Sequence, residues 1–424
     1  MSSLRRVALP LSIQFDLPWT SSDGGLLLLK KADISLGLSE RLGACLTDRR
    51  RDPQHTKTKM LAQRLYGICQ GWEDCNDHDH LKNDPLYALA LGDQLATQPT
   101  LSRFENSVVR RELFAMSVAL VDLFIERHRA KPPKRIVIDM DATEDPAHGQ
   151  QEFEFYHGFY GCHCFLPLFA FCSVDGGDED LVGAILRPGN SHAGRRSAAI
   201  LRRLIRKLKE AFPAVEIVFR ADAGFALPEV YATCEKLGIS YLISLAKNSR
   251  LLGMAAPLIA ESRAHKETSG QKSRLFGEIS YAAGSWPQER RVIVKAEVMD
   301  KGENPRFVVT NLAGDPEALY DEYCRRGDCE NRIKELKLDL ASGRTSCHKF
   351  TANCFRLLLH AAAFVLLSAV RRMLQSTGLA RATMGQIRIK ILKVAAQVQT
   401  STRRILVRLP RGHPHADLLQ RLLA

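Results

Sequence analysis

The chain has 424 residues, more than a single hydrophobic core normally organises, so two or three domains are expected. Hydrophobic residues make up 45% and charged residues 25% of the sequence, values typical of a soluble globular protein. Most of the net charge of +13 comes from residues 371–424, which contain eleven Lys and Arg and one acid, Asp417, so a polyanionic partner is favoured, either nucleic acid or an acidic membrane.

The apolar segments argue against membrane insertion and secretion. Residues 357–370 form the most apolar run, but this run is only 14 residues long and contains His360, so it predicts a buried helix. Residues 1–15 lack the sustained apolar stretch of a signal peptide. The eleven cysteines are scattered, which indicates free thiols in a reducing compartment and predicts a cytoplasmic protein.

Residues 1–130 are predicted to form a mainly helical domain. Residues 58–72 have helical apolar spacing. Residues 100–129 have the same spacing and begin with a predicted capping box, Ser102 to Glu105. The prolines of residues 130–134 then end the helix.

Two clusters contain residue types that bind metals. Residues 73–80 include Asp77, His78 and His80, which either ligate a metal or form a polar turn between helices, and the turn is favoured. Residues 161–165 alternate Cys162, His163 and Cys164 on a predicted strand. Alternation directs His163 away from both cysteines, so a structural role is favoured there.

Residues 134–249 show an α/β pattern. Strands are predicted at residues 135–143, 164–174, 181–189, 216–225 and 239–246, and helices at 195–212 and 228–237. This order predicts a mixed sheet with helices. Residues 250–312 then predict a β-rich segment of Gly-rich turns and short strands.

Two further regions complete the chain. Residues 313–375 are predicted to contain a helix bearing Glu330 and the apolar packing helix. Residues 376–424 form a basic C-terminal region. Within it, the alternation in residues 386–393 predicts a strand with one basic face, either for nucleic acid or as an ordinary solvated edge.

Acidic residues end two of the predicted strands. Asp139 and Asp141 share one face near the end of the first strand, and Asp222 ends a later one. Ligands and metals bind at such strand ends in α/β folds. Together with Glu330, these carboxylates suit two Mg²⁺ ions, which activate a water or a 3′-hydroxyl and stabilise the leaving oxygen during attack on a phosphodiester.

The predicted Glu330 helix carries a mixed set of polar side chains. Tyr323, Arg326, Glu330 and Lys337 are spaced by three, four and seven residues, which places them on one helical stripe. Taken alone, such a stripe is typical of a solvated surface with i,i+4 ion pairs.

These four residues resemble the Y-x2-R-x3-E-x6-K signature of DDE transposases of bacterial insertion sequences. Residues 139–149 (DMDATEDPAHG) and 219–226 (FRADAGFA) resemble the segments around the first and second Asp of that family. The likeness extends over about residues 20–410 and implies an RNase H-like core, residues 134–249 and 313–375, interrupted by the β-rich insertion. It also implies that the N-terminal domain binds DNA ends.

The resemblance implies that Asp141, Asp222 and Glu330 are catalytic ligands of two Mg²⁺ ions, which Mn²⁺ can replace. Asp141 is preferred over Asp139 because the family pattern places a Thr two residues after the Asp, here Thr143. Asp139 shares the face, so the choice between the two stays open.

Six residues are predicted to contact DNA. Arg326 and Lys337 suit phosphate contacts, and Tyr323 either donates to a phosphate oxygen or packs. Trp286 either stacks on a base extruded at the transposon end or belongs to the core. Arg195 and Arg196 precede a helix, where they either contact phosphates or belong to an ordinary loop cap.

The predicted function is a transposase that binds the terminal inverted repeats of its own element, cuts by Mg²⁺-dependent hydrolysis and joins the 3′-OH to target DNA. A homodimer on double-stranded DNA and a location in the bacterial cytoplasm, at the nucleoid, are expected, with no membrane partner. Two alternatives remain, a catalytically inactive DNA-binding relative and a metal-dependent hydrolase centred on the Asp77–His80 cluster.

Overall fold

The computed structural model describes residues 12–92 and 94–423. As predicted, the N-terminal part is mainly helical. Its elements are β1 (Thr20–Ser21), α1 (Leu26–Leu36), α2 (Leu38–Ala44), α3 (Lys57–Gln70), α4 (His78–Leu81), α5 (Pro85–Leu91), α6 (Gln98–Glu105) and α7 (Arg110–Arg129).

The continuous helix predicted over residues 100–129 is wrong, because α6 ends and α7 begins within it. Asn106 Nδ2 donates to the Ser102 carbonyl at 2.9 Å and so satisfies an acceptor at the end of α6. The Glu112 carboxylate accepts from the Val109 backbone N–H at 2.9 Å. The acidic residue that marks the start of the long helix is therefore Glu112, and α6 begins before the predicted capping box.

The central part of the chain forms a mixed sheet. Its elements are β2 (Arg135–Ala142), β3 (Asp145–Pro146), β4 (Phe155–His157), β5 (Cys162–Phe165), β6 (Leu168–Val174), β7 (Glu179–Ile185), α8 (Ser197–Ala211), β8 (Glu216–Ala221), α9 (Pro228–Lys236) and β9 (Ser240–Leu245). The short strands β3, β5 and β4 form a separate sheet in that order. The single strand predicted at 164–174 is interrupted before Pro167 and gives β5 and β6.

The order of the main strands decides the fold class. β7, β6, β2, β8 and β9 are neighbours in that order. β7, β6 and β2 pair antiparallel, whereas β2, β8 and β9 pair parallel. This is the strand order of an RNase H-like sheet, so the predicted fold class is confirmed.

Helical layers cover both faces of this sheet. Ile136, Ile138 and Met140 of β2 belong to the same core cluster as the buried residues of α8 and α9. The alternate residues of β2 point to the opposite face, where Val137 packs with Leu319 and Tyr320. Asp139 and Asp141 share this second face by strand alternation, as predicted.

The segment at 250–312 is β-rich from residue 273 onward. It begins with the 21-residue helix α10 (Ser249–Ser269), which was not predicted there. The strands follow as β10 (Ser273–Tyr281), β11 (Arg290–Met299), β12 (Gly302–Glu303) and β13 (Arg306–Thr310). β13 pairs with β9, so the main sheet continues through β11 to β10 without a break.

The remaining helices pack back onto the core. They are α11 (Pro316–Cys324), α12 (Gly327–Lys334), a π-helical turn (Glu335–Asp339), α13 (Phe350–Met373), α14 (Met384–Ile387), a second π-helical turn (Arg388–Leu392) and α15 (Ala416–Leu423). In the described part of the chain, α13 is the one helix long and apolar enough to cross a membrane, but 83% of its apolar window is buried inside the fold. It is the buried packing helix predicted from residues 357–370.

The strand predicted at 386–393 is wrong. Residues 384–392 form α14 and the second π-helical turn, and Ile387, Ile391 and Leu392 are buried. The strands of this region are β14 (Ala396–Thr400) and β15 (Ile405–Arg408), which form a small sheet with β1. The apolar residues of the segment therefore follow a helical rather than an alternating pattern.

Candidate active site

Asp141 and Asp222 lie at the carboxyl ends of adjacent parallel strands. Met140 of β2 is paired with Ala221 of β8, and each is followed by one of the two acids. Asp222 caps a short 3₁₀ helix, where its Oδ1 accepts from the Gly224 N–H at 2.9 Å. Parallel pairing thus brings together two carboxylates that are 81 positions apart in the sequence.

Glu330 reaches the same place from α12, which covers this face of the sheet. Arg326, the residue just before α12, connects Glu330 with Asp141. Its Nη1 lies 3.1 Å from Asp141 Oδ2, and its Nη2 donates to Glu330 Oε1. Burial raises the pKa of Asp141 to about 6, opposed by Arg326 and reinforced by Asp222.

The signature residues do not lie on one continuous helix. Tyr323 belongs to α11, Arg326 lies between α11 and α12, and Lys337 belongs to the π-helical turn. Lys337 Nζ lies 2.6 Å from Glu144 Oε1 and 3.3 Å from Thr143 Oγ1, just beyond Asp141. The Tyr323 ring packs near the Tyr320 ring, with centroids 6.1 Å apart. The predicted stripe is therefore broken, although Arg326 and Lys337 still lie beside Asp141.

Asp139 has a buried partner of its own. Its two carboxylate oxygens accept from Arg220 Nε and Nη2 at 2.9 and 2.6 Å, and the residue is 0% exposed. Arg220 faces Asp139 across the β2–β8 pairing and also donates to the Glu322 carbonyl at 2.8 Å. Both carboxylate oxygens of Asp139 are thus occupied, whereas Asp141 borders an open cleft of about 370 Å³ together with Glu330 and Lys337.

The arrangement fits a divalent cation only after a rearrangement. Within residues 12–92 and 94–423, no three His, Cys, Asp or Glu side chains are grouped closely enough to hold a metal ion. Instead, the Arg326 guanidinium contacts both Asp141 and Glu330. A positive charge is therefore already accommodated between these carboxylates, and oxygen ligands of this type suit Mg²⁺ or Mn²⁺.

The loop before α8 lies beside Asp222. A Cβ placed on Gly194 would come within 2.6 Å of the Gly224 carbonyl oxygen, so the two backbones are in close contact. Buried Arg187 fixes this loop, because its Nη1 donates to the Ala193 carbonyl at 2.6 Å. Arg195 and Arg196, which follow, are exposed. The loop thus places two exposed cations near the second acid.

Trp286 belongs to the hydrophobic core. It is 8% exposed and makes edge contacts with the rings of Tyr231 and Tyr281, at centroid distances of 5.0 and 5.6 Å. The Arg290 guanidinium lies 5.4 Å from its ring centroid. This packing favours the core interpretation over stacking on a DNA base.

The hydrolase centred on Asp77–His80 finds no support. His78 is buried, with Nε2 3.0 Å from Arg64 Nη1 and Nδ1 3.2 Å from Gln63 Nε2. Asp77 accepts from the Asp74 N–H at 2.9 Å. Residues 73–77 thus form a polar turn between α3 and the short helix α4, in line with the favoured interpretation, and His78 and His80 belong to α4.

Glu179, at the start of β7, gives a pH-dependent prediction. It is buried, no hydrogen-bond partner is found for its carboxylate among the described residues, and burial followed by Asp139 raises its pKa to about 8. The pKa of Glu179 is higher in the folded than in the unfolded chain. The contribution of Glu179 to the free energy of unfolding is therefore complete below about pH 4.5 and is lost as pH rises through 8. Wild type should lose roughly 3 kcal/mol of unfolding free energy between pH 6 and 9 through this group.

Urea unfolding at the two pH values checks this prediction. Glu179→Gln should remove that loss, because the amide does not titrate. Asp178 is exposed, so Asp178→Asn is the matched control and should show the same loss of unfolding free energy as wild type. An unchanged pH dependence in Glu179→Gln would contradict the assignment.

Comparison with known proteins identifies the family. The family model described as transposase DDE domain, group 1, matches residues 8–424. The chain belongs to this family. DDE transposases use divalent metal ions. No curated protein matches the chain.

Solved transposase structures match only weakly. The Mos1 mariner paired end complex with Mn is 12% identical, with 46% of this chain and 61% of that chain covered and a TM-score of 0.18. The Mos1 transposase paired-end complex with left transposon end is 13% identical, with 53% and 67% covered and the same TM-score of 0.18. This chain thus spans about three-fifths of the first Mos1 chain, and these scores support no structural inference.

Three residues around Asp139, Asp141 and Asp222 escaped the sequence analysis. Arg220 neutralises Asp139, Glu144 binds Lys337, and Arg187 holds the loop beside Asp222. Arg220 had a usable signal, since it lies two residues before Asp222 and strand alternation puts both on one face. The other two depend on loop conformation, which no spacing rule describes.

Proposed function

We propose that this DDE-family chain binds the terminal inverted repeats of its insertion sequence, cuts them with Mg²⁺ and joins the 3′-OH to target DNA. The observation that supports the proposal is the placement of Asp141 beside Asp222 on one side and beside Glu330, through Arg326, on the other. Two of these acids end adjacent parallel strands, and the third is joined to the first by Arg326.

Asp141, Asp222 and Glu330 would hold the metal ions. When bound, two Mg²⁺ ions activate the attacking water or 3′-hydroxyl and stabilise the leaving oxygen. Mn²⁺ has the same preference for oxygen ligands and would substitute. Asp139 is not part of this set, since its carboxylate forms a buried bidentate pair with Arg220.

The cations around the acids would position DNA. The Arg326 fork matches a phosphate, and Lys337 at the cleft offers a point charge. Arg195 and Arg196 extend the positive surface past Asp222. Tyr323 packs on Tyr320 in the DNA-free chain, and its hydroxyl is a donor for a phosphate oxygen.

The partner is double-stranded DNA, both transposon ends and target. The basic residues 376–424 add sequence-independent attraction to the phosphate backbone. Two ends must be held together for transposition, so we propose a homodimer on DNA, located in the cytoplasm at the nucleoid. We also propose that domain boundaries lie near residues 130, 249, 312 and 375.

Strand cleavage of a duplex carrying the repeats that flank the gene tests the proposal. Wild type should nick at the repeat boundary with Mg²⁺ and not with EDTA. Glu330→Ala should lower the rate by about 10³-fold or more, because the site loses one of the three carboxylates that would hold the metal ions. Exposed Asp328→Ala, on the same helix, is the matched control and should cut normally.

The same assay separates the alternatives. Specific binding of the repeats without any cleavage by wild type would support an inactive DNA-binding relative. Cleavage that survives Glu330→Ala would place the active site elsewhere and contradict the proposed ligand set.

A further inference from the structure

A basic cavity lies in the N-terminal helical part, away from the acids. Its volume is about 510 Å³, and it is formed by the loop between α2 and α3, the α6 helix and the start of α7. Five basic residues line it: Arg49, Arg50, Lys57, Arg103 and Arg111. The two acids in the lining are Asp48 and Glu112, so positive charge predominates.

Both acids are engaged within the protein. Asp48 accepts from Arg50 Nε and Nη2 at 2.8 and 2.6 Å, which lowers the pKa of the carboxyl to about 2. Glu112 accepts from the backbone N–H groups of Thr47 and Val109 at 2.8 and 2.9 Å. The Glu112 contact joins the loop between α2 and α3 to the start of α7, whereas the Asp48 contact stays within that loop.

Three arginines remain directed to solvent. Arg49, Arg103 and Arg111 are exposed, and no carboxylate of residues 12–92 or 94–423 forms an ion pair with them. Arg103 Nη2 lies 3.3 Å from Thr100 Oγ1, and Thr47 and Ser107 add hydroxyls to the lining. Guanidinium groups and hydroxyls around one cavity are the donors that bind phosphate oxygens.

The cavity lies at the same end of the sheet as the acids. Ile185 of β7 is level with Leu168 of β6, which is level with Ala142, the residue after Asp141. The carboxyl ends of β7 and β2 therefore share one edge.

Helix α7 runs along β7 with its start at that edge. Arg127, near the end of α7, pairs with Asp180 at the opposite, amino end of β7. Leu113, near the start of α7, lines a groove together with Leu186, just past the carboxyl end of β7. The cavity beside Arg111 therefore lies toward the end of the sheet at which Asp141 is found.

We infer that this cavity binds the phosphate backbone of the transposon-end duplex on the side of the cleavage site. The inference rests on the proposed function and assigns a second contact region to it. Arg103 and Arg111 contribute one phosphate contact each, and together they hold the duplex across the edge where Asp141 and Asp222 end their strands.

Binding of the repeat duplex to the full chain in EDTA tests the inference. Fluorescence anisotropy would compare wild type with the double variant Arg103→Gln/Arg111→Gln at several salt concentrations. The control is Arg129→Gln, which removes an exposed arginine at the opposite end of α7. Each lost contact should reduce the slope of log affinity against log salt by about 0.9, and the double variant should bind at least about tenfold more weakly at 0.1 M salt.

The outcomes are distinct. Equal affinity and salt slope in the double variant and the control would overturn the inference, while wild-type cleavage of the repeats would leave the proposed function intact. Wild type that neither binds nor cuts the repeats would overturn both. A folded fraction that is constant over the salt range scales the affinity without changing the slope, so the slope separates a lost contact from partial unfolding.

Inorganic phosphate distinguishes a DNA site from a small-anion site. At constant ionic strength, millimolar phosphate should displace little duplex from wild type, because a single anion replaces only part of the backbone contact. Displacement through Arg103 and Arg111 at that concentration would show a free-phosphate pocket and overturn the inference.

Discussion

Arg220→Met should lower the unfolding free energy by about 3–5 kcal/mol, because it leaves the Asp139 carboxylate buried without its counterion. Asp139 is 0% exposed, and both of its oxygens accept from Arg220. Burial already raises the pKa of Asp139 against the opposing effect of Arg220. Urea unfolding at pH 7 measures the loss directly.

A double substitution sharpens this expectation. Asp139→Leu combined with Arg220→Met removes both charges, so much of the stability should return. Asp141→Asn, two residues along the same strand, should change the stability by less than about 1 kcal/mol, since Asp141 borders an open cleft. The same variant should abolish cleavage. A stable Arg220→Met variant, or an Asp141→Asn variant that still cuts, would reverse the roles assigned to the two acids.

Arg326→Gln should tighten Mn²⁺ binding to the DNA-free chain by roughly tenfold or more. In wild type, a metal ion must displace the guanidinium from Asp141 and Glu330, and each charge-assisted hydrogen bond contributes about 1.5–3 kcal/mol. Removing Arg326 also leaves two carboxylates facing each other, which increases their attraction for a cation. Electron paramagnetic resonance of free Mn²⁺ measures this affinity without requiring activity.

Repeat DNA should change the Mn²⁺ affinity of wild type more than that of Arg326→Gln. A phosphate that captures Arg326 releases the carboxylates, so repeat DNA should strengthen Mn²⁺ binding to wild type and affect Arg326→Gln much less. Cleavage should fall in the variant, since the phosphate contact is lost. Exposed Arg325→Gln is the adjacent control and should behave as wild type. Equal Mn²⁺ affinity in all three proteins would show that Arg326 does not compete with the metal.

Much of the fold follows from local patterns. The strands at β2, β8 and β9 and the helices at α8 and α9 have strong apolar periodicity and short connections, and they lie where the sequence places them. The strand prediction for residues 386–393 is wrong because the Ile and Lys residues fit either an alternating or a helical pattern over so short a span. The sequence analysis missed helix α10 for another reason. Gly253 and Pro257 are residues typical of turns, but both lie within the helix.

The site was less predictable than the fold. Alternation places Asp139 and Asp141 on one face but does not say which of them meets Arg220, because that depends on the register between β2 and β8. The helical stripe through Arg326 and Lys337 ignores the break between α11 and α12 and the π-helical turn. Trp286 offered no pattern at all, and only its packing against Tyr231 and Tyr281 assigns it to the core.

The continuation of the main sheet through β13, β11 and β10 means that residues 249–312 protect the core from self-association. Removing them would leave β9 as an apolar edge strand with unpaired backbone groups along Leu242 and Ile243, a template for aggregation. In the intact chain the terminal strand is β10, where Arg274 and Glu278 form ion pairs with neighbouring side chains. The edge strand of the intact chain is therefore charged, whereas the edge strand of the shortened chain would be apolar and free to pair. A chain without residues 249–312 would need charged substitutions on β9 to avoid aggregation.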